Sequence, residues 1–203
     1  MEQTGVIPSQ VLLSSELLSV EEHQDLLIQL DGRLQLTASE IVEIDLPARN
    51  RVEALLRSEF LEDKQLRGLA CDFAEHTLPL FEEYAPRERR PHRCVETARL
   101  YLSGGNLDEL QRAIKEAIPA VWQLQGTKFT SAFTAGLAVT FLDCHDAAEM
   151  AWPVALHAQK AAHYKEWETR KSYLELMTGR EKEATWQLSR VAEILDSVTY
   201  HPA

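Results

Sequence analysis

The sequence predicts an all-α protein, a multi-helix bundle of stacked helical hairpins with kinked helices and a short irregular N-terminal arm. Three observations support this. Apolar residues from Leu66 onward recur at spacings of three and four, the period of one helix face. Helix-start signatures punctuate the chain repeatedly. Apart from Gly5–Leu13, where a short strand or extended arm is expected, nothing alternates as a half-buried strand does. With 203 residues, 45% of them hydrophobic, the chain can bury one substantial core. The expected organisation is an acidic extension over residues 1–45 packed on or flanking the core, a helical core over 46–197, and a tail over 198–203.

Taken in order, Thr37-Ala38-Ser39-Glu40 has capping-box spacing, in which a hydroxyl and a carboxylate satisfy each other's free backbone N–H groups. Pro47 opens a helix over Leu46–Ser58. Leu66, Leu69, Ala70, Phe73, Thr77, Leu80 and Tyr84 then share one helix face, and Arg89-Arg90-Pro91 restarts the chain as a second helix. Pro91 stands in the first turn, where a missing N–H does no harm. The result is a helical hairpin with a tight basic turn. Ser103-Gly104-Gly105-Asn106 stops its second helix and starts the next.

Asn106-Leu107-Asp108-Glu109, Asp146-Ala147-Ala148-Glu149 and Thr178-Gly179-Arg180-Glu181 read as further N-terminal signatures. The first precedes Leu110, Ile114, Ala117, Ile118 and Val121. The following segment carries Phe129, Phe133, Leu137, Thr140, Phe141 and Cys144 as its apolar positions, and the last carries Leu188, Val191 and Leu195. Small residues over Thr130–Ala162, Gly136 among them, allow close helix approach, with Trp152 and Phe141 filling the remaining space. That segment is the expected centre of the bundle. Pro79, Pro119 and Pro153 fall inside helical runs, where an interior proline costs about 3 kcal/mol, so kinks or breaks are expected there.

The formal charge is −11, and residues 1–50 hold nine acidic against two basic side chains. Such a surface repels phosphate backbones, which disfavours direct nucleic-acid binding, and it suits a basic protein partner. Glu16, Glu21, Glu22 and Asp25 are the candidate partner-binding residues. Cys71, Cys94 and Cys144 form no CxxC pair and are read as small buried apolar residues. The N-terminus lacks a basic start and apolar run, and no stretch of about 18 apolar residues occurs. A cytoplasmic location without membrane contact is expected.

His145-Asp146 is the adjacent pair found in helical metal-dependent phosphohydrolases. Such a site also needs an upstream His, for which His76 or His92 could serve, and a downstream Asp, for which Asp196 could; otherwise Asp146 caps a helix and His145 ends the preceding one. His157 and His163 lack the i, i+4 spacing of a zinc helix. Asp143, Cys144 and His145 point about 100° apart on a helix and cannot form a relay. No catalytic, cofactor-binding or metal residue is assigned. Asp72, Glu75 and Glu82 line the polar side of the first hairpin helix; Asp72, Arg90, Glu96 and Arg99 form a candidate structural network in which the arginines pair with the acids to fix the hairpin.

The wording of the hairpin, Ala70-Cys71-Asp72-Phe73-Ala74-Glu75-His76 through Leu78-Pro79-Leu80-Phe81-Glu82 to Arg90-Pro91 and Glu96-Thr97-Ala98-Arg99, resembles bacterial immunity proteins of the immunity-five-like group. Weaker likeness extends through Pro47–Leu56 and Ala184–Leu188. The resemblance implies an immunity protein that neutralises a bacterial toxin of the polymorphic class by stoichiometric protein–protein binding, with no cofactor and no catalysis. Acidity suits a basic toxin such as a nuclease. The competing readings are a metal-dependent helical hydrolase using His145 and Asp146, and a non-enzymatic helical scaffold or regulatory protein.

Overall fold

A computed structural model describes residues 5–15, 18–143, 145–169 and 173–199. In chain order the elements are β1 (Val6–Pro8), α1 (Gln10–Leu13), α2 (Val20–Leu30), β2 (Gln35–Thr37), α3 (Ala38–Glu43), α4 (Ala48–Leu55), α5 (Asp63–Tyr84), α6 (Arg90–Leu102), α7 (Leu107–Trp122), α8 (Thr130–Val139), α9 (Ala147–Glu168) and α10 (Tyr173–Thr199). The protein is 73% helical, which makes it all-α with a minor two-stranded ribbon. Two units form. One gathers the chain up to Glu62 and from Ala184 onward; the other is Asp63–Glu183. The sequence-based boundary at residue 45 falls inside the first unit, between α3 and α4.

In the first unit, β1 pairs antiparallel with β2, setting Ile7 opposite Leu36. Both point inward, at 1% and 0% exposure. The arm is therefore an ordered strand, and its partner, three residues long, is too short to announce itself by alternation. Two capping boxes start the neighbouring helices: Ser19 with Glu22 at α2, and Thr37 with Glu40 at α3. Helix α4 begins after Pro47 and ends at Leu55, shorter than the expected Leu46–Ser58. Leu12, Leu26, Ile41, Val52 and Leu55 supply the core, together with Ala184, Leu188 and Val191 of α10.

In the second unit, α5 packs against α6, α8 and α9, and α8 lies along α9. The buried face of α5 is wider than the expected stripe: Cys71, Ala74, Leu78 and Phe81 are inside as well, while Leu80 and Tyr84 are half-buried. Asn106 caps α7 through the Asp108 N–H, and Asp146 caps α9 through the Ala148 and Glu149 N–H groups. Gly104 closes α6 at φ +97°, a left-handed position that favours glycine.

Three expectations are corrected. First, the large apolar positions Phe129, Phe133 and Leu137 at and along α8 are only half-buried, whereas the small residues expected to allow close helix approach, Ala132, Ala135, Gly136 and Ala138, are buried. Close packing of helix on helix selects the small face for the inside. A Cβ on Gly136 would stand 2.8 Å from Val121 and 3.1 Å from Phe81. Second, of the kinks or breaks expected at Pro79, Pro119 and Pro153, breaks do not occur: α5, α7 and α9 each continue through their proline. The carbonyls that each proline leaves without an N–H belong to Glu75, Lys115 and Glu149, all exposed, so water can satisfy them. Third, Thr178-Gly179-Arg180-Glu181 starts no helix and lies within α10. Gly179 is there for space, since a Cβ would meet the Ala162 carbonyl oxygen at 2.9 Å.

Candidate functional site

The acidic front of the chain sorts into engaged and free carboxylates. Glu22 closes the Ser19 capping box and pairs with Arg49 at 3.0 Å. Burial alone would raise its carboxyl pKa, but the Ser19 N–H and the Arg49 guanidinium outweigh it and hold the group below the usual carboxylate range. Glu40 takes Arg33 at 3.1 Å. Both basic residues of the segment 1–50 are thus committed. Glu21, Asp25 and Asp31 are exposed, and their side chains have no partner among the described residues. Glu16 lies outside the described residues. Of the four candidate contact residues, the structure therefore leaves Glu21 and Asp25 available and uses Glu22 to build the helix.

Large apolar side chains sit on the same solvent face of α2. Val20 and Ile28 are each 76% exposed and Leu27 49%, followed by Leu34 at 83% in the connection to β2. At 100° per residue, Val20, Gln24, Leu27 and Ile28 fall on one arc, Glu21 and Asp25 border it, and Asp31 stands at the helix end in a left-handed conformation. The inward side holds Leu26 and Leu30. Sequence periodicity does not separate these two apolar sets, because both recur at helical spacing.

In the hairpin, Arg99 donates to Asp72 at 2.8 Å and also to Glu75, tying α6 to α5. Arg90 does not join them; its guanidinium bonds Glu88 at 2.8 Å within the turn. Glu96 faces His92 at 3.4 Å, one helical turn away, and His92 also reaches Glu82 at 3.0 Å. Of the expected four-residue network the Arg99–Asp72 pair across the two helices is present, while Arg90 and Glu96 pair with Glu88 and His92 instead. Cys71 and Cys94 are buried, and burial pushes both thiols up to about 12, which makes them inert. Cys144 lies outside the described residues.

Asp146 spends its carboxylate on the start of α9. His145 is exposed beside it, and its backbone carbonyl, not its ring, accepts a bond from Arg67 at 2.7 Å. His76 and His92 hold other acids, and no three His, Cys, Asp or Glu residues converge on a metal-sized site among the described residues. A cleft of about 300 Å³ opens beside His76, Thr77, Leu80, Ala162, Lys165 and Lys182. There His76 Nδ1 meets Glu183 at 2.8 Å, and the Glu183 bond raises the imidazole above its ordinary pKa. Relay chemistry needs a nucleophile as well; the lining holds no Ser or Cys, and the Thr77 hydroxyl donates to the Phe73 carbonyl at 3.4 Å. The pair fastens Glu183 to α5.

A polar clasp that no local sequence signal announces joins α8 to α9. Phe129 gives α8 no side-chain cap. Instead Glu168, from the end of α9, accepts the Ser131 N–H at 2.8 Å and the Ser131 hydroxyl at 2.6 Å, and receives the Tyr84 hydroxyl at 3.3 Å.

No helix among the described residues is long and apolar enough to cross a membrane. Comparison with curated proteins and with solved structures finds no match. A family model described as Imm-5 like putative immunity protein matches residues 59–194, about two thirds of the chain.

Proposed function

The chain belongs to this family of immunity proteins, and from that premise we propose that it neutralises a bacterial toxin by binding it one to one, without cofactor or turnover. An immunity role implies a protein partner. The observation that carries the reading furthest is the charge of −11, concentrated in a front segment whose two arginines are already paired. A surface of that sign attracts a basic partner, speeds encounter and rejects nucleic acid. The candidate metal pair supports turnover poorly, because Asp146 is spent on a helix cap.

The test is to mix purified protein with the toxin domain encoded beside its gene and measure binding by calorimetry, and to co-express the two in a sensitive host. A one-to-one complex at micromolar or tighter affinity, together with restored growth, is expected. Folded samples that show neither overturn the proposal.

A further inference from the structure

We propose that the outer face of α2 is the centre of the toxin-binding surface, with Ile28, Leu27 and Val20 as its apolar heart and Glu21, Asp25 and Asp31 as its acidic rim. This deepens the functional reading above and rests on it. Single exposed apolar residues are ordinary on protein surfaces. Here Val20 and Ile28, both 76% exposed, share one arc of a helix with Leu27, and Leu34 follows within a few residues at 83% exposure. An apolar centre inside a charged rim is the anatomy of a protein interface, where a few desolvated side chains carry most of the affinity.

The rim identifies the occupant by charge. Glu21, Asp25 and Asp31 have no partner among the described residues, and the basic residues that could have neutralised them, Arg33 and Arg49, are held by Glu40 and Glu22. A second copy of the chain would bring the same unpaired carboxylates face to face. An anionic lipid surface or a phosphate backbone would be repelled as well. The fitting partner is a protein surface with an apolar centre ringed by Lys and Arg, as the substrate groove of a basic toxin offers. An eleven-residue helix is only about 16 Å long, and a stable interface covers about 800 Å² per partner. The α2 face is therefore the core of a larger contact.

The capping box at Ser19 and the Arg49–Glu22 pair fix the helix beneath this face, so its side chains are presented on a preorganised element, which lowers the entropy lost on binding. The face lies outside residues 59–194, the part matched to the family. The shared scaffold and the proposed recognition surface are thus different stretches of sequence.

The experiment measures affinity of the full-length protein for the toxin domain encoded beside its gene, using wild type, Ile28→Lys, Glu21→Lys/Asp25→Lys and, as a control on an exposed apolar residue of α6, Leu100→Lys. Circular dichroism and melting confirm that each is folded. Ile28→Lys is expected to weaken binding at least tenfold, the charge reversals to slow association several-fold with a flatter salt dependence, and Leu100→Lys to leave affinity within twofold. If wild type binds and Ile28→Lys binds equally well, the surface assignment is wrong while the immunity reading stands; if wild type does not bind, both fall. A wild-type dimer that Ile28→Lys dissolves would give the face to a second copy and would also overturn the assignment.

Discussion

The α8–α9 pair and the outer face of α2 deploy apolar and charged residues in opposite ways. Along α8 and α9 most of the buried side chains are small, Ala132, Ala135, Ala138, Ala151, Ala155, Ala158 and Ala161 among them, and two carboxylates are engaged: Asp146 on a helix cap, Glu168 on Ser131. On the outer face of α2, Val20, Leu27 and Ile28 face water, and Glu21 and Asp25 beside them have no partner among the described residues. Burial of apolar surface stabilises a fold by about 25 cal/mol per Å², and an exposed Ile28 contributes little of that. The contrast separates residues whose replacement is felt as lost stability from residues whose replacement is felt only when a partner arrives.

The largest test of this contrast pairs Phe73→Ala with Ile28→Lys. Phe73 is 0% exposed and Ile28 76%. Truncating a buried Phe costs about 3–5 kcal/mol, and at about 2–4 °C per kcal/mol for a chain of this size the melting temperature should drop by roughly 10 °C. Ile28→Lys should stay within about 0.5 kcal/mol of wild type, as surface changes do. Denaturant titration of both reads the difference. A cost at Ile28 approaching that at Phe73 would mean that the α2 face is part of the fold and would end the comparison.

Gly136→Val asks whether the α8 interface is as tight as its small residues imply. The added Cβ would stand 2.8 Å from Val121 and 3.1 Å from Phe81, both in the core. Overpacking of this kind costs about 1–3 kcal/mol. A neutral outcome, read from the shift in urea midpoint, would show that the helices can separate at no cost.

Glu168→Ala tests the polar counterpart. It strands the Ser131 N–H and hydroxyl, and Ser131 is 0% exposed. Leaving buried donors unmade costs about 1–3 kcal/mol. Because both residues belong to one bonded cluster, the double variant Glu168→Ala/Ser131→Ala should cost less than the two single costs added together. Simple additivity would show that the contact carries no coupling energy.

What could be read from the sequence divides along the same physical line. The hairpin, the Thr37 capping box and the caps at Asn106 and Asp146 are local chemistry, settled within three or four residues, and Pro91 marks a helix start because of its own missing N–H. The inside of α8 is not local. Hydrophobicity ranks Phe133 above Ala135, but the inside goes to whichever face lets a second backbone close in, and only the partner helix decides that. The Glu168–Ser131 clasp spans 37 positions and has no motif. Capping-box spacing at Thr178 misleads for a related reason: Gly179 answers to the Ala162 carbonyl across the packing, not to a helix end. For the acidic front, composition indicates charge but cannot say that Glu22 is bonded and Glu21 free, since the distinction depends on Arg49, 27 residues from Glu22.

The smallest effect concerns pH and arises from two histidines of the helical core. The His157 ring stacks on Phe141 at 5.1 Å, its Nδ1 has no hydrogen-bond partner among the described residues, and burial with Lys160 nearby pushes its pKa down to about 4. The unfolded chain takes up that proton near pH 6.5 and the folded chain only near pH 4, so stability should fall as pH drops through that window. His76 has the opposite sign. Its pKa is raised by Glu183, so its contribution is complete below the unfolded value and is lost as pH rises through the raised folded value. His157→Leu should therefore flatten the acid limb of a melting-temperature profile by about 1 kcal/mol after allowance for solvent screening, and His76→Gln should flatten the limb above neutrality. Neither should alter toxin affinity in samples that remain folded. If His157→Leu weakened binding as much as Ile28→Lys, the division of labour between core and α2 face would have to be abandoned.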